Sequence, residues 1–171
     1  GEKISATLAV EKNQLIKIDS IETVGTSKLS TVYLFNFISI KPGDIYNESL
    51  IRKISTRLRE LPFVLQTKPP LVRFSQKGCQ LILFTDQKKS NQIDGVIGVL
   101  PANDKDEKTQ ITGEVRMRLH SAFNRGELID LNWKQPGTKT QDLKIKFSYP
   151  FLFKSPFGID AGLNVYKKDT S

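Results

Sequence analysis

Hydrophobic and polar residues alternate along the second half of the chain. The stretch TQITGEVRMRLH (109–120) has Ile, Gly, Val, Met and Leu at its odd positions from 111 onward, and Thr, Glu, Arg, Arg and His at its even positions. This period of two is typical of a β-strand with one apolar face. The same alternation recurs in four further runs, at 91–100, 128–135, 141–153 and 157–167. Turn residues such as Asn124-Arg125-Gly126 and Pro136-Gly137 separate the runs, so the pattern predicts an antiparallel meander of five strands.

The first half mixes strand and helix patterns. Residues 4–10 and 15–24 have the composition of strands, and 71–75 and 80–85 predict a hairpin that turns at Gly78. Between them lie two helix patterns with apolar residues at helical spacing. Ser27 is expected to cap the first helix and Asn47 the second, which Pro62 should end. The order β-α-α-β-β predicts a small α+β domain with two helices on one face of a three-stranded sheet.

Composition excludes several classes of site. The net charge is +8, but no signature of nucleic-acid binding accompanies it, and we expect no nucleic-acid partner. Cys79 and His120 are the single residues of their kinds. They therefore predict no disulfide within the chain, no metal site and no cofactor, and Cys79 is expected to be buried. No catalytic constellation is visible, so the sequence predicts a protein that is not an enzyme. No apolar run is long enough for a transmembrane helix.

The apolar face of the five strands can be covered in two ways. A soluble β-sandwich would cover it with a second sheet, and such a domain would be a binding module. Alternatively the face meets lipid, because strands of about ten residues, apolar outward and polar inward, span the membrane in outer-membrane barrels. A bacterial barrel needs at least about eight strands. Five strands therefore predict that the chain is a piece of a larger barrel protein.

The order of these segments resembles a known family. KIDSIETVG (17–25), IKPGDIYNESLIRKISTRLRELPFV (40–64) and the strands around LVRF and QLILF resemble a POTRA domain, the polypeptide-transport-associated module. The segments at 90–101, 112–135 and 149–170 resemble the first barrel strands of BamA/TamA-type outer-membrane proteins of the variety common among Bacteroidetes. The resemblance divides the chain into the last strand of a preceding POTRA domain (1–14), a POTRA domain (15–89) and the first five strands or so of an incomplete outer-membrane β-barrel (90–171).

The resemblance implies a function without catalysis. It implies assembly or translocation of proteins at the outer membrane of a Gram-negative bacterium, with the POTRA part in the periplasm. The implied partners are unfolded outer-membrane or secreted client proteins, accessory assembly lipoproteins and outer-membrane lipid. Some related barrels carry a fused patatin-like phospholipase, but the G-x-S-x-G motif of such an enzyme is absent from these residues.

Three sets of residues are assigned on this basis. An edge strand that binds clients by β-augmentation would contain Leu71, Val72, Arg73 and Phe74. The barrel gate strand, which pairs with the last strand in the family, would contain Ile93, Gly95, Ile97 and Val99. Lumen-facing charges would be Glu114, Arg116, Arg118, Lys144 and Lys146. In isolation the chain is expected to self-associate through its strand edges, or to pack its sheet on the helices.

Overall fold

The computed structural model describes residues 15–102, 109–137 and 140–168, apart from the side chain of Lys154. Two short helices and eight strands are described, in the order β1 Ile18–Val24, α1 Thr31–Ile38, α2 Glu48–Glu60, β2 Val64–Phe74, β3 Cys79–Gln87, β4 Gln92–Leu100, β5 Gln110–His120, β6 Leu128–Gly137, β7 Thr140–Tyr149 and β8 Ile159–Lys168. The predicted order β-α-α-β-β followed by a meander is confirmed. The strand expected at 4–10 lies outside the described residues. None of the described helices has the length and hydropathy needed to cross a membrane.

The first three strands form a mixed sheet in the order β1-β3-β2. Strand β1 runs parallel to the central strand β3, and β2 runs antiparallel to it. Alternate residues of β3, including Leu81 and Leu83, are fully buried and pack with Leu34, Ile54 and Leu58 of the two helices. Burial of each such side chain is worth about 1.5–3 kcal/mol. This apolar layer is the hydrophobic core of the described chain.

The first helix begins three residues later than the sequence indicated. Ser30, and not Ser27, is the N-cap of α1, because its hydroxyl accepts a hydrogen bond from the backbone N–H of Tyr33 at 3.1 Å. The backbone N–H of Ser27 instead donates to the carbonyl of Thr85 at 3.2 Å, which holds Ser27 against the end of the sheet. Asn47 caps α2 as predicted, since its side chain accepts from the N–H groups of the first turn.

The second strand is longer than the hairpin pattern indicated. It runs from Val64 to Phe74, whereas the sequence predicted a strand at 71–75. The additional part contains Pro69 and Pro70, at which the pairing with β3 becomes irregular. A proline has no N–H to donate to a neighbouring strand. A strand that contains proline is therefore tolerated at the edge of a sheet, where one side of its backbone pairs with no further strand.

The last five strands form one antiparallel sheet in sequence order, β4-β5-β6-β7-β8. Its register aligns Met117, Leu131, Ile145 and Leu163 in one row on one face. Within the described residues, no helix and no second sheet covers that face. The sandwich alternative required a second sheet, so the single sheet does not support it.

The fourth strand of this sheet ends earlier than predicted. The alternation indicated one strand through Phe153, but β7 ends at Tyr149 and a short 3-10 helix follows at Leu152–Lys154. Pro150 supplies no amide hydrogen to continue the ladder, and the chain leaves the sheet there. Phe151 and Phe153 therefore do not belong to the apolar row of the strand.

Candidate functional site

The predicted client-binding segment lies on an outer strand of the three-stranded sheet. Among the described residues, β2 pairs only with β3 and leaves its other side without a strand. Leu71 and Arg73 lie on the face that the helices leave uncovered. Val72 packs against the core, and Phe74 lies edge-on to Tyr46 with 5.2 Å between ring centroids. The segment therefore combines an open backbone edge with side chains on both faces.

Two prolines shorten the usable part of this edge. Pro69 and Pro70 interrupt β2 and present no N–H to an added strand. The residues from Leu71 to Phe74 form the proline-free end of the strand, and Leu71 and Phe74 are about half exposed. An extended partner could pair with this end over about four residues.

The opposite edge of the same sheet is partly covered by the chain itself. The backbone of Ile18 in β1 donates to the carbonyl of Asp44 at 2.9 Å and accepts from Gly43 at 2.8 Å. The N–H of Tyr46 donates to the carbonyl of Ile16 at 2.8 Å. The turn before α2 therefore occupies the first part of the β1 edge. Pro42 and Gly43 are typical of a turn, but the sequence does not show the pairing partner of this turn, because the partner lies more than a helix away along the chain.

The predicted gate strand lies at one end of the five-stranded sheet. Strand β4 pairs with β5 through all nine of its residues, and no described strand lies on its other side. Ile93, Ile97 and Val99 lie on its apolar face and are 69, 69 and 63% exposed. Gly95 shares that face, where a Cβ would lie 3.2 Å from the carbonyl oxygen of Glu114. The four predicted residues therefore form one row at an open edge.

The predicted lumen residues share the other face of the sheet. Glu114, Arg116, Arg118, Lys144 and Lys146 occupy alternate positions that the register brings together on β5 and β7. Further polar residues that were not among the predicted ones share this face, although the same alternation contains them: Asp130, Asn132 and Lys134 on β6, and Asp142 on β7.

Oppositely charged side chains on this face are paired across and along the strands. Arg118 contacts Asp130 at 2.6 Å, and Glu114 contacts both Arg116 at 2.5 Å and Lys134 at 3.1 Å. All of these groups are at least a quarter exposed, so water screens the pairs and they contribute little to stability. The face is a hydrated, charged surface with a regular spacing.

Groups that could support catalysis or metal binding are sparse. Cys79 is buried in the core as predicted, and burial, followed by the nearby Asp19, raises the pKa of its thiol. A buried thiol with a raised pKa is a poor nucleophile. Across residues 15–102, 109–137 and 140–168, no group of three or more His, Cys, Asp or Glu side chains is arranged to hold a metal ion.

Comparison with known proteins identifies the first of these two regions. Residues 16–89 match the family POTRA, described as a surface antigen variable number repeat. Residues 16–89 are a POTRA domain. A search of curated protein sequences found no match.

The fold of the whole chain has matches among solved structures. BamA from Haemophilus ducreyi lacking POTRA domains 1–3 superposes with a TM-score of 0.65 at 13% identity, over 94% of this chain and 29% of that one. CdiB from Acinetobacter baumannii gives a TM-score of 0.47 at 18% identity, over 88% of this chain and 28% of that one. The chain thus spans less than a third of either structure. The predicted fold, a POTRA domain followed by an antiparallel meander whose strands match those of the BamA barrel, is confirmed by the family match and the superposition.

The POTRA domain and the five-stranded sheet meet at a joint that the sequence did not reveal. The backbone N–H of Ser30, at the start of POTRA helix α1, donates to the carbonyl of Asn124 in the β5–β6 loop at 2.8 Å. The ring of Tyr33 lies 5.3 Å from that of Phe151, which follows β7. Tyr33 also lies so close to Gly126 that a Cβ there would overlap its ring. Gly126 has a φ of +76°, so glycine meets both the backbone and the space requirement.

A buried carboxylate shapes the loop at this joint. Glu127 is only 1% exposed, and its side chain accepts hydrogen bonds from the backbone N–H groups of Phe123 and Arg125. Its carbonyl accepts from the N–H of Ser121 at 2.7 Å, closing the loop at its base. Burial, followed by the nearby Glu127, raises the pKa of the Tyr33 hydroxyl above its usual range. The tyrosine therefore stays neutral against the helix and loop.

Proposed function

We propose that this chain is part of a factor that assembles or translocates proteins at the outer membrane of a Gram-negative bacterium. The POTRA domain lies in the periplasm, and β4 to β8 are the first strands of a transmembrane barrel. The observation that carries the proposal is the apolar face of the five-stranded sheet, which no described element covers and which is joined directly to a POTRA domain.

The dimensions of the five strands fit a membrane. They contain between 9 and 11 residues. At ~3.3 Å per residue and a tilt near 45°, about ten residues cross an apolar band of ~25 Å. Ile111, Val115, Met117 and Leu119 of β5 would face lipid. The charged face would then line the barrel lumen, where water solvates its ion pairs.

The two ends of this sheet have different roles in the proposal. Strand β8 would continue into further barrel strands, and β4 would close the barrel as a gate strand against the last one. The row Ile93, Gly95, Ile97 and Val99 supports weak pairing between β4 and the last barrel strand, because glycine contributes no side chain to cross-strand packing. While both edges are open, they expose backbone hydrogen-bonding groups, and we expect copies of the chain to associate through them.

The POTRA domain would hold an extended client along β2. Backbone hydrogen bonds supply affinity with little demand on sequence, which suits a factor with many clients. The residues from Leu71 to Phe74 are the preferred edge because the turn at Gly43 to Tyr46 already occupies the start of the other edge. Binding a client in this way needs no catalysis by this chain. Client identity and accessory lipoproteins would be determined by other parts of the assembly. The patatin-like alternative would place its hydrolase outside these residues.

Hydrogen exchange tests the assigned edge. A peptide with the sequence of residues 110–120, a strand of the type that a client would contain, is added to the whole chain. We expect slower amide exchange between Leu71 and Phe74, and no effect from the same peptide N-methylated at alternate residues. Protection of β1 instead would move client binding to the other edge. Protection of neither edge would contradict β-augmentation.

Spin labels test the membrane assignment on adjacent residues of β5. Single cysteines replace Met117 or Arg118 in a Cys79→Ser background, and the labelled chains are reconstituted in phosphatidylcholine bilayers. We expect a label at 117 to be accessible to oxygen dissolved in lipid, and a label at 118 to be accessible to a water-soluble nickel chelate. Equal accessibility of both positions to the chelate would contradict a lipid-facing row.

A further inference from the structure

A cavity lies where the POTRA domain meets the barrel strands. It has a volume of about 610 Å³ and lies between α1, the β5–β6 loop and the β7–β8 hairpin. Its walls are mainly aromatic and aliphatic, from Tyr33, Phe147, Tyr149, Phe151, Phe153 and Ile159. Phe153 is 91% exposed even though it lines the cavity. Exposed aromatic side chains around an apolar cavity are typical of a binding surface.

The cavity continues the apolar face of the barrel strands. Phe147 pairs with Ile129 and Ala161 in register, and Tyr149 pairs with Ile159, so these residues extend the row that ends at the POTRA side of the sheet. If this row faces lipid, as the proposed function holds, the cavity lies at the boundary between hydrocarbon and water. Tyrosine is enriched at that depth because its ring is apolar and its hydroxyl polar.

A cationic side chain lies at the cavity. Arg125 lines it, and within the described part of the chain its guanidinium forms no ion pair. The acid of the same loop, Glu127, is buried and accepts hydrogen bonds from backbone N–H groups, so Arg125 is the charged group of this loop that lines the cavity. Lys88 and Lys89 are exposed and line a neighbouring cleft together with Asn124. An anion at the cavity would meet the guanidinium of Arg125.

We propose that this cavity binds an anionic glycerophospholipid of the membrane leaflet next to the POTRA domain. The upper part of an acyl chain would pack against the aromatic walls, and the phosphate would lie at Arg125, whose planar guanidinium forms paired hydrogen bonds with phosphate oxygens. Such a lipid would connect α1 to the barrel rim and fix the position of the POTRA domain relative to the membrane. This inference rests on the proposed function, because it requires the apolar row to face lipid.

Photocrosslinking identifies the occupant of the cavity. Phe153 is replaced by p-benzoylphenylalanine, and in a matched chain Leu163 is replaced instead, since it is 55% exposed in the middle of the apolar row. Each chain is placed in nanodiscs with equal amounts of phosphatidylcholine and phosphatidylglycerol, and the adducts are weighed after illumination. We expect the ratio of phosphatidylglycerol to phosphatidylcholine adducts to be about five-fold higher at 153 than at 163, since one basic side chain contributes about that factor at an anionic surface.

Charge variants test whether Arg125 causes the preference for phosphatidylglycerol at position 153. Arg125→Gln should lower the ratio at 153 to that at 163. Arg59→Gln on the exposed face of α2 removes the same charge away from the cavity and should leave the ratio at 153 unchanged. Equal ratios at 153 and 163 in the unaltered chain, or an adduct of 153 with a second copy of the chain, would overturn the lipid site.

The same experiment separates this inference from the proposed function. Lipid adducts at 163 with no headgroup preference at 153 would contradict the lipid site alone. An absence of lipid adducts at 163 would contradict the membrane-spanning assignment, and with it the lipid site that requires the apolar row to face lipid, even if phosphatidylglycerol adducts formed at 153. An absence of lipid adducts at both positions would contradict both.

Discussion

The two sheets of this chain show similar strands with different surroundings. In the POTRA domain, two helices cover one face of the three-stranded sheet, and Leu83 is completely buried. In the five-stranded sheet, Leu163 has the same side chain on an equally regular strand but is 55% exposed. The POTRA domain therefore has a hydrophobic core of its own, whereas the five strands require lipid, further strands or another copy to cover their apolar face. Alternation indicates that a strand has an apolar side, and only the neighbouring elements show what that side contacts.

A matched pair of leucine truncations tests this contrast and has the largest expected effect. Leu83→Ala leaves a cavity in the POTRA core and should lower the free energy of unfolding by about 2–5 kcal/mol. Leu163→Ala, measured in water, should change it by less than about 0.5 kcal/mol, because the side chain is already hydrated. Unfolding in urea is followed by amide exchange, in β3 for Leu83→Ala and in β8 for Leu163→Ala. Similar losses in both variants would show that the five-stranded sheet has a core of its own.

A glycine substitution tests whether the two regions form one unit at the joint. Gly126→Ala adds a Cβ that overlaps the ring of Tyr33 at a residue with positive φ. We expect a cost of about 1–3 kcal/mol and faster amide exchange of both α1 and the β5–β6 loop. Gly137→Ala is the control, because no heavy atom of the described residues lies within 4 Å of its added Cβ. If Gly126→Ala altered the loop without affecting α1, the joint would not couple the regions.

A change of pH tests the same joint from the POTRA side. Because burial raises the pKa of Tyr33 in the folded chain, the unfolded chain loses this proton first as the pH rises above about 10. Stability should therefore fall by about 1.4 kcal/mol per pH unit from that point until the folded pKa is reached. Tyr33→Phe keeps the ring contacts and should remove this part of the pH dependence. Urea midpoints for both chains that fall in parallel through this range would contradict the buried, neutral hydroxyl.

Ion pairs in the two regions should have the smallest effects. Arg118→Gln removes the pair with Asp130 on the charged face, and Arg52→Gln removes the pair with Glu48 on α2. Each should lower the midpoint of thermal unfolding only slightly, because the partners are well exposed to water. Thermal unfolding at low and high salt is the measurement. A loss of several kcal/mol for Arg118→Gln alone would indicate that the charged face is buried.

Much of the fold followed from local patterns in the sequence. The period of two located the five strands, the helical spacing located α2, and Asn47 marked the start of α2. These features depend on residues close together in sequence, so the local pattern is sufficient to predict them. The five predicted lumen residues share one face for the same reason, since strand alternation and hairpin pairing are sufficient to bring them together.

The remaining features depend on contacts between distant segments. Ser27 and Ser30 are equally good caps by composition, and the bonds of Ser27 to Thr85 and of Ser30 to Asn124 decide between them. Glu127 directly follows a turn sequence, and nothing next to it in the sequence indicates that the loop folds around its carboxylate. Phe151 continued the alternation of β7, but Pro150 directs it toward Tyr33. These contacts join residues that are distant in sequence, so no local pattern predicts them.

The most direct measurement of the central claim uses the single tryptophan of the chain. Trp133 lies on the apolar face of β6, opposite Val115 and Leu143, and the next residue, Lys134, lies on the charged face. In bilayers of brominated phosphatidylcholine, the fluorescence of Trp133 should be strongly quenched. In the double variant Trp133→Phe, Lys134→Trp, the quenching should be largely lost, because the indole has moved to the lumen side. Equal quenching of the two chains, or none in either, would contradict a sheet with one face in lipid and the other in water.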